Sequence, residues 1–381
     1  MTTRDACIED FLAACGWAGA RRVPLAGDAS ARRYERLILG ARKAVLMDAP
    51  PEPGEAAATA MGRITPSGYS AAARLAVDCR PFAALAWYLA DCGFSAPDIY
   101  GQDFAQGLLL LEDLGDDLFG RLLESADPRL EEEFYFAAVD LLLAFHAIPP
   151  PESLPLPGGE TYALRGYDAS VYQVEADLLI EWFLPAVLGR TLSEAERADY
   201  HEAWRKVLPL ADASPRVLAL RDYHAGNLMW LARRKGVKRV GLLDFQDGLV
   251  GSPAYDLVSL LQDARRDVSP ELERTLLARY IAGGQARRGF DERRFRGAYA
   301  VLGAQRNAKI VGIFTRLSRR DGKPIYLSFL PRVWRYLSAD LTHAELAPLR
   351  AWFARMVPED VRLRVPAPDE PGFAPLRKSA S

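Results

Sequence analysis

Apolar positions recur at helical spacing at the start of the chain: Ile8, Phe11, Leu12 and Cys15 fall on one face of residues 5–16, and Gly16 ends the run. This predicts an opening amphipathic helix. The pattern then shortens to strand-like pieces in residues 23–37, set around a turn of small residues, and in residues 44–49. Residues 98–100 and 107–111 read as the last two strands of a small antiparallel sheet. Between them, residues 78–92 predict a helix with Pro81 in its first turn, Phe82, Leu85, Ala86 and Leu89 on its buried face, and Gly93 as its stop. Residues 52–77 are rich in Ala, Gly and Ser and poor in large apolar side chains, which predicts an insertion or lid.

Beyond residue 113 the period is mostly that of helices. Residues 131–148 carry an apolar surface broad enough for a central buried helix, closed by Pro149, Pro150 and Pro151. Further helical stretches are predicted at 168–188, 193–208, 256–264, 270–282 and 291–318, with more at 325–357. The exception is the apolar run of residues 240–243, which reads as a short strand ending at Asp244. A basic hairpin at 234–240 joins it to a strand that begins at Asn227. The tail from Val365, with several Pro and a polar end, is predicted to be disordered.

At 381 residues the chain has material for two cores. A net charge of −2 argues against a strongly basic nucleic-acid binder, and 50% hydrophobic residues argue against pervasive disorder. The cysteines Cys7, Cys15, Cys79 and Cys92 form no C-x-x-C pair, and neither a signal peptide nor a long apolar span is visible. The expectation is a reduced, soluble, cytoplasmic monomer with no membrane partner.

Candidate chemistry concentrates in residues 220–256, L-R-D-Y-H-A-G-N-L-M-W-L followed, after the basic turn, by V-G-L-L-D-F-Q-D-G-L-V-G-S-P-A-Y-D. Phosphoryl transfer needs an oriented hydroxyl and cations to neutralise the transferring oxygens. Asp222 is suited to orient the hydroxyl and accept its proton. The amide oxygen of Asn227 and the carboxylate of Asp244 are hard ligands of the kind magnesium (Mg2+) prefers, with water and ATP phosphates completing the shell. His224 reads as a loop brace rather than a participant. Asp247 reads as a metal helper or a turn cap, and Asp256 as a helix N-cap.

The D-x4-N loop followed by D-F resembles the catalytic and metal-binding segments of the protein-kinase fold, in the form found in aminoglycoside and choline phosphotransferases. Leu220 stands where kinases usually carry His, and Gln246 where they carry Gly. The resemblance implies an α+β, kinase-like two-lobed fold. Residues 1–113 would form a small antiparallel-sheet N-lobe and 114–364 a larger, mainly helical C-lobe carrying the acceptor site, with 365–381 as the tail. In that frame the strand at 44–49 should carry the phosphate-binding Lys, yet Met47 or Asp48 takes its place and Lys43 comes too early. Arg32 or Arg33 is expected to supply the charge from the preceding turn, where Gly27 and Ser30 let backbone amides approach phosphate. Glu112 and Leu114 lie in the run that resembles the hinge and are expected to contact adenine through their backbones.

Several stretches resemble one branch in particular: G-D-A-S-A-R-R-Y, V-L-M-D-A-P-P, the catalytic loop, and Q-R-N-A-K-I-V-G-I-F-T-R-L. They are similar to bacterial cell-wall sugar kinases that phosphorylate N-acetylmuramate and N-acetylglucosamine at the anomeric carbon during peptidoglycan recycling. The resemblance implies a small-molecule amino-sugar substrate. Arg306 and Lys309, three apart on one helix face, are then either a site for the lactyl carboxylate or a solvent-facing basic edge. The alternatives are an aminoglycoside, choline or homoserine-type kinase, and a nucleotide-binding pseudokinase scaffold suggested by the missing strand Lys.

Overall fold

A computed structural model of the chain describes residues 3–25, 32–50, 68–124, 127–212 and 215–376. The strand-like stretches near the start form one antiparallel sheet in the order β1-β2-β3-β5-β4, with β1 Arg21–Pro24, β2 Arg33–Leu39, β3 Arg42–Asp48, β4 Ile99–Asp103 and β5 Leu108–Glu112. The first helix, Thr3–Ala14, lays Ile8, Phe11 and Leu12, with Trp17 just beyond it, against Leu37, Ala44, Leu46, Leu108 and Leu110. A helix this short is marginal alone in water. Burying four large apolar side chains offsets that at roughly 1.5–3 kcal/mol each.

The helix Arg80–Asp91 buries Phe82, Leu85, Ala86 and Leu89 as its pattern predicts. After it come the helix Pro128–Phe145 and a hairpin of β6 (Ser153–Pro155) and β7 (Thr161–Ala163). Four three-residue strands frame the predicted catalytic region: β8 (Val217–Ala219), β9 (Leu228–Trp230), β10 (Val240–Leu242) and β11 (Leu249–Gly251). β9 pairs with β10, and β8 with β11.

The rest is helical. The predicted helix at 168–188 is interrupted: Ala169–Leu178 passes through a π-helical turn, Leu179–Phe183, into Leu184–Leu188. Glu194–Val207 starts with a full capping box between Ser193 and Glu196. Ala254–Leu261 and Pro270–Gly284 lead to the 30-residue helix Glu292–Asp321, capped by Asp291 and ended by Gly322 at φ 65°. This long helix is buried on most of its surface. It packs tightly on Ala169–Leu178 because Gly312 lacks a Cβ, which would lie 2.3 Å from the Leu178 carbonyl carbon.

The tail departs from expectation. Phe373 is fully buried and meets Phe183 with ring centroids 6.0 Å apart. Ser318 Oγ donates to the Phe373 carbonyl at 2.9 Å, and the Leu376 N–H to the Arg319 carbonyl at 2.7 Å. A Cβ at Gly372 would lie 1.9 Å from the Ala186 carbonyl oxygen, so glycine lets the segment seat. One aromatic anchor and a glycine thus override a Pro-rich composition through residue 376. Residues 52–67 of the expected insertion lie outside the described residues, and a short helix, Gly68–Ala72, falls within the rest of it.

Two compact units emerge from the contacts. One is drawn from the described residues of 1–141, 151–165 and 226–248, the other from 142–150, 166–225 and 249–381. The expected division has a single crossing after residue 113. The observed units interleave because the β9–β10 hairpin bridges to the first unit, Gly241 pairing with Ser95 and Met229 with Leu118.

A buried acid, Asp340, sits in the second unit. Asp340 accepts from Gln262 Nε2 at 2.9 Å and Asn307 Nδ2 at 3.2 Å. Burial pushes its carboxyl well above the usual range, the two amides oppose that, and Glu273 adds to it. Because the folded value exceeds the unfolded one, the stability this group contributes is complete below the unfolded value near 4 and is lost as pH rises toward the folded one. Asp340→Asn, which mimics the protonated acid, is expected to flatten that loss by up to about 1.4 kcal/mol per pH unit. Thermal melts of both proteins from pH 5 to pH 8 check it; parallel curves would refute it.

Candidate active site

In the first unit the geometry follows from one hairpin. The β9–β10 register pairs Leu228 with Leu242, so Asn227 and Asp244 leave the ladder at the same end, and the Leu243 N–H donates to the Asn227 carbonyl at 3.0 Å. Asn227 Nδ2 lies 3.5 Å from Asp244 Oδ2, while Oδ1 accepts from Gln246 Nε2 at 2.8 Å and pairs with Arg32 Nη1 at 3.4 Å. Asp244 has φ 55°, left-handed backbone that a non-glycine residue holds only when its surroundings impose it. The next residue helps impose it: Phe245 is buried and stacks on Phe82, centroids 4.8 Å apart. Asp247 accepts the Ala76 N–H at 2.6 Å, anchoring the last residues of the expected insertion.

The two candidate arginines separate. Register pairs Arg33 with Asp48, whose carboxylate takes Arg33 at 2.8 Å and Arg4 at 2.5 Å. Arg32 instead reaches Asp244. Burial pulls its guanidinium down, but Tyr34, Asp247 and Asp244 together outweigh that and keep it firmly cationic. Asp48, one of the two residues expected where kinases carry Lys, thus has cations from β2 and the first helix as its partners.

In the second unit β8 delivers the loop bearing Asp222. The carboxylate of Asp256 accepts the Leu220 N–H at 2.7 Å and the Arg221 N–H at 2.8 Å. It is not the helix N-cap expected for it: Pro253 holds that position, and the Asp256 side chain turns inward to the loop. His146 Nδ1 meets the Tyr280 hydroxyl at 2.7 Å, and its Nε2 lies 3.5 Å from Asp256. Arg221 has φ 70°. Asp222 is half-buried, its N–H donating to the Leu220 carbonyl at 2.9 Å and its carbonyl accepting from the His224 N–H at 3.2 Å. Burial lowers the His224 pKa, with Asp263 and Asp222 opposing and Arg265 and Arg306 reinforcing, so the ring is neutral near pH 7, consistent with a brace.

Other expected residues fare differently. Gly27 and Ser30 lie outside the described residues. Glu112 ends β5 with its N–H committed to the Asp98 carbonyl at 2.8 Å and its carboxylate to Arg234 at 2.6 Å; Leu114 is half-buried beside Gly241. Arg306 and Lys309 do not form a solvent-facing basic edge. Arg306 is buried and donates to the Gln262 carbonyl at 3.2 Å, and Lys309 pairs with Glu175 at 2.8 Å. The middle of their helix is enclosed, so these two basic side chains find acceptors inside. Sequence reasoning missed Glu175, although its position with Val171, Tyr172 and Ala176 on the buried face of Ala169–Leu178 marks an acid that must be paired.

No helix among the described residues is long and apolar enough to cross a membrane. The sequence profile of the phosphotransferase enzyme family (APH) matches residues 21–296. An N-acetylmuramate/N-acetylglucosamine kinase of Caulobacter vibrioides is 43% identical over 94% of this chain and 98% of its own length. One of Pseudomonas aeruginosa is 34% identical over 91% and 92%. Among solved structures, a choline/ethanolamine kinase family protein from Mesorhizobium loti superposes with a TM-score of 0.53 over 92% of this chain and 99% of that one, at 14% identity. Choline kinase from Streptococcus pneumoniae gives 0.52 over 90% and 98%, at 12%. At such identity these structures establish the fold, an α+β kinase-like one with a five-stranded antiparallel sheet. With its profile matched over most of its length and relatives more than 30% identical across nearly all of it, the chain belongs to the phosphotransferase enzyme family.

Proposed function

We propose that the protein transfers the terminal phosphoryl group of ATP to the anomeric hydroxyl of N-acetylmuramate or N-acetylglucosamine, giving the sugar 1-phosphate and ADP, as a cytoplasmic step of peptidoglycan recycling. The observation that carries this reading is the 43% likeness, over 94% of the chain, to a kinase named for those two sugars. Asp222 is the group that orients the hydroxyl and accepts its proton; an anomeric hydroxyl is more acidic than an ordinary alcohol, so a carboxylate is an adequate base.

The side chains present fit a magnesium ion. Asp244 and Asn227 are 3.5 Å apart, and the Asp244 side chain is 44% exposed, within reach of a nucleotide. Magnesium commonly binds through one or two protein oxygens with substrate phosphates and water completing its shell, so two such side chains are enough. When bound, magnesium would neutralise charge on the transferring oxygens. Asp244 and an amide oxygen of Asn227 would hold it, Gln246 fixes the Asp244 carboxylate, and Arg32 offers a guanidinium fork to phosphate. Glu112 and Leu114 remain the hinge candidates for adenine, with the Glu112 N–H already engaged.

The test is ADP release with ATP and magnesium over N-acetylmuramate, N-acetylglucosamine, choline and aminoglycosides. The expected result is turnover with the amino sugars and an acid-labile anomeric phosphate as product. Turnover confined to choline or aminoglycosides would overturn the assignment.

A further inference from the structure

Behind the Asp222 loop lies a buried ionic cluster that phosphoryl transfer does not itself require. The Glu175 carboxylate is fully buried and meets four donors: Arg221 Nη2 and, at 2.8 Å, Lys309 Nζ on one oxygen, and the Tyr167 hydroxyl at 2.6 Å and Gln305 Nε2 at 3.1 Å on the other. These occupy the acceptor capacity of a carboxylate. Tyr167 also lies under the Arg221 guanidinium, 4.9 Å from ring centroid to Cζ. Burial pushes the carboxyl up, yet Lys309 and Arg221 outweigh it and hold the acid at about 2, so the carboxylate is charged throughout the working pH range.

Arg221 is thereby held at both ends, its N–H by Asp256 at 2.8 Å and its side chain by Glu175. Its φ of 70° is disfavoured for a non-glycine residue by about 1–3 kcal/mol and persists only if the surroundings determine it. Asp222 comes next in the chain, so the Arg221 backbone sets the direction in which the Asp222 side chain leaves. A buried ion pair adds little stability over apolar residues of the same size, but it specifies one arrangement.

We infer that Glu175 is a positioning residue for Asp222, acting through its grip on the left-handed Arg221. This rests on the reading of Asp222 as the base. Lys309 is the second cation that keeps Glu175 ionised.

Arg221→Gly tests this directly, because glycine accepts φ 70° without strain and leaves Glu175 paired with Lys309. The expected result is a fall in kcat of about 10- to 100-fold with KM for ATP within about twofold, as for loss of an orienting contact. Arg221→Lys, which keeps a cation within reach of Glu175, should recover part of kcat. Glu175→Gln should reproduce the Arg221→Gly loss and add nothing to it in the double variant. Should Glu175→Gln not fold, the two Arg221 variants decide alone. Unchanged kcat in Arg221→Gly, a matching rise in KM, no recovery in Arg221→Lys, or an additive double variant would each overturn the inference. Asp222→Asn run alongside separates the failures: if it retains turnover the base assignment falls, and if it is inactive while Arg221→Gly is normal only the Glu175 role falls.

Discussion

Asp222→Asn is expected to lower kcat by about 10²- to 10⁴-fold, the range for loss of a general base, while ATP and magnesium still shift the melting temperature as they do in the unaltered protein. The substitution keeps the size and the backbone contacts of the residue, including the N–H to the Leu220 carbonyl and the bond from the His224 N–H. It removes the negative charge, which also acts on His224, and with it the capacity proposed for Asp222 to take the hydroxyl proton. Because Asp256 anchors the loop through Leu220 and Arg221 rather than through Asp222, the loop should keep its conformation. Steady-state ADP release and nucleotide-dependent melting, measured on the same preparation, check both halves. Turnover near that of the unaltered protein would remove Asp222 from the chemistry.

Asp244→Ala should cost at least about 10²-fold in kcat, a typical figure for removing one electrostatic contact from a phosphoryl or acyl transfer site, and should move the magnesium dependence to higher concentration. The fold should survive. The Asp244 side chain is 44% exposed, and an ion pair so accessible, here to Arg32 at 3.4 Å, contributes within about 1 kcal/mol. Arg32 also keeps Asp247 as an electrostatic neighbour. A magnesium titration of ADP release reads the effect. An unchanged magnesium profile would show that the cation is held elsewhere.

Much of the fold was legible because its signals are local. The opening helix, the helix Arg80–Asp91, the strands of the five-stranded sheet and the short strand Val240–Leu242, two residues before Asp244, announce themselves by period and by Gly or Pro at their ends, whereas the β6–β7 hairpin does not. The order Asp222, Asn227, Asp244 was readable for the same reason. What stayed hidden depends on contacts between distant segments. Arg32 and Arg33 are neighbours and point apart, but only the pairing of Arg33 with Asp48 tells which one turns toward Asp244. The spacing of Arg306 and Lys309 predicts a shared helix face, not the Gln262 carbonyl and the Glu175 carboxylate that meet them. Asp256 had a sound local reading as a cap, overridden by two N–H groups from a loop 35 and 36 residues earlier. In the tail, composition argued for disorder, while burial of Phe373 and the close seat of Gly372 hold the segment through residue 376.

The interleaved course of the chain bears on its biosynthesis. The sheet-bearing unit is unfinished until Gly248 has left the ribosome, yet the other unit already claims residues from 142 onward. Neither unit is one continuous stretch of the chain, which sets it apart from chains whose domains are completed one after another, the usual vectorial route. A nascent chain halted near its midpoint would carry the five-stranded sheet without the hairpin between Asn227 and Asp244, and so before any of the three candidate side chains Asp222, Asn227 and Asp244.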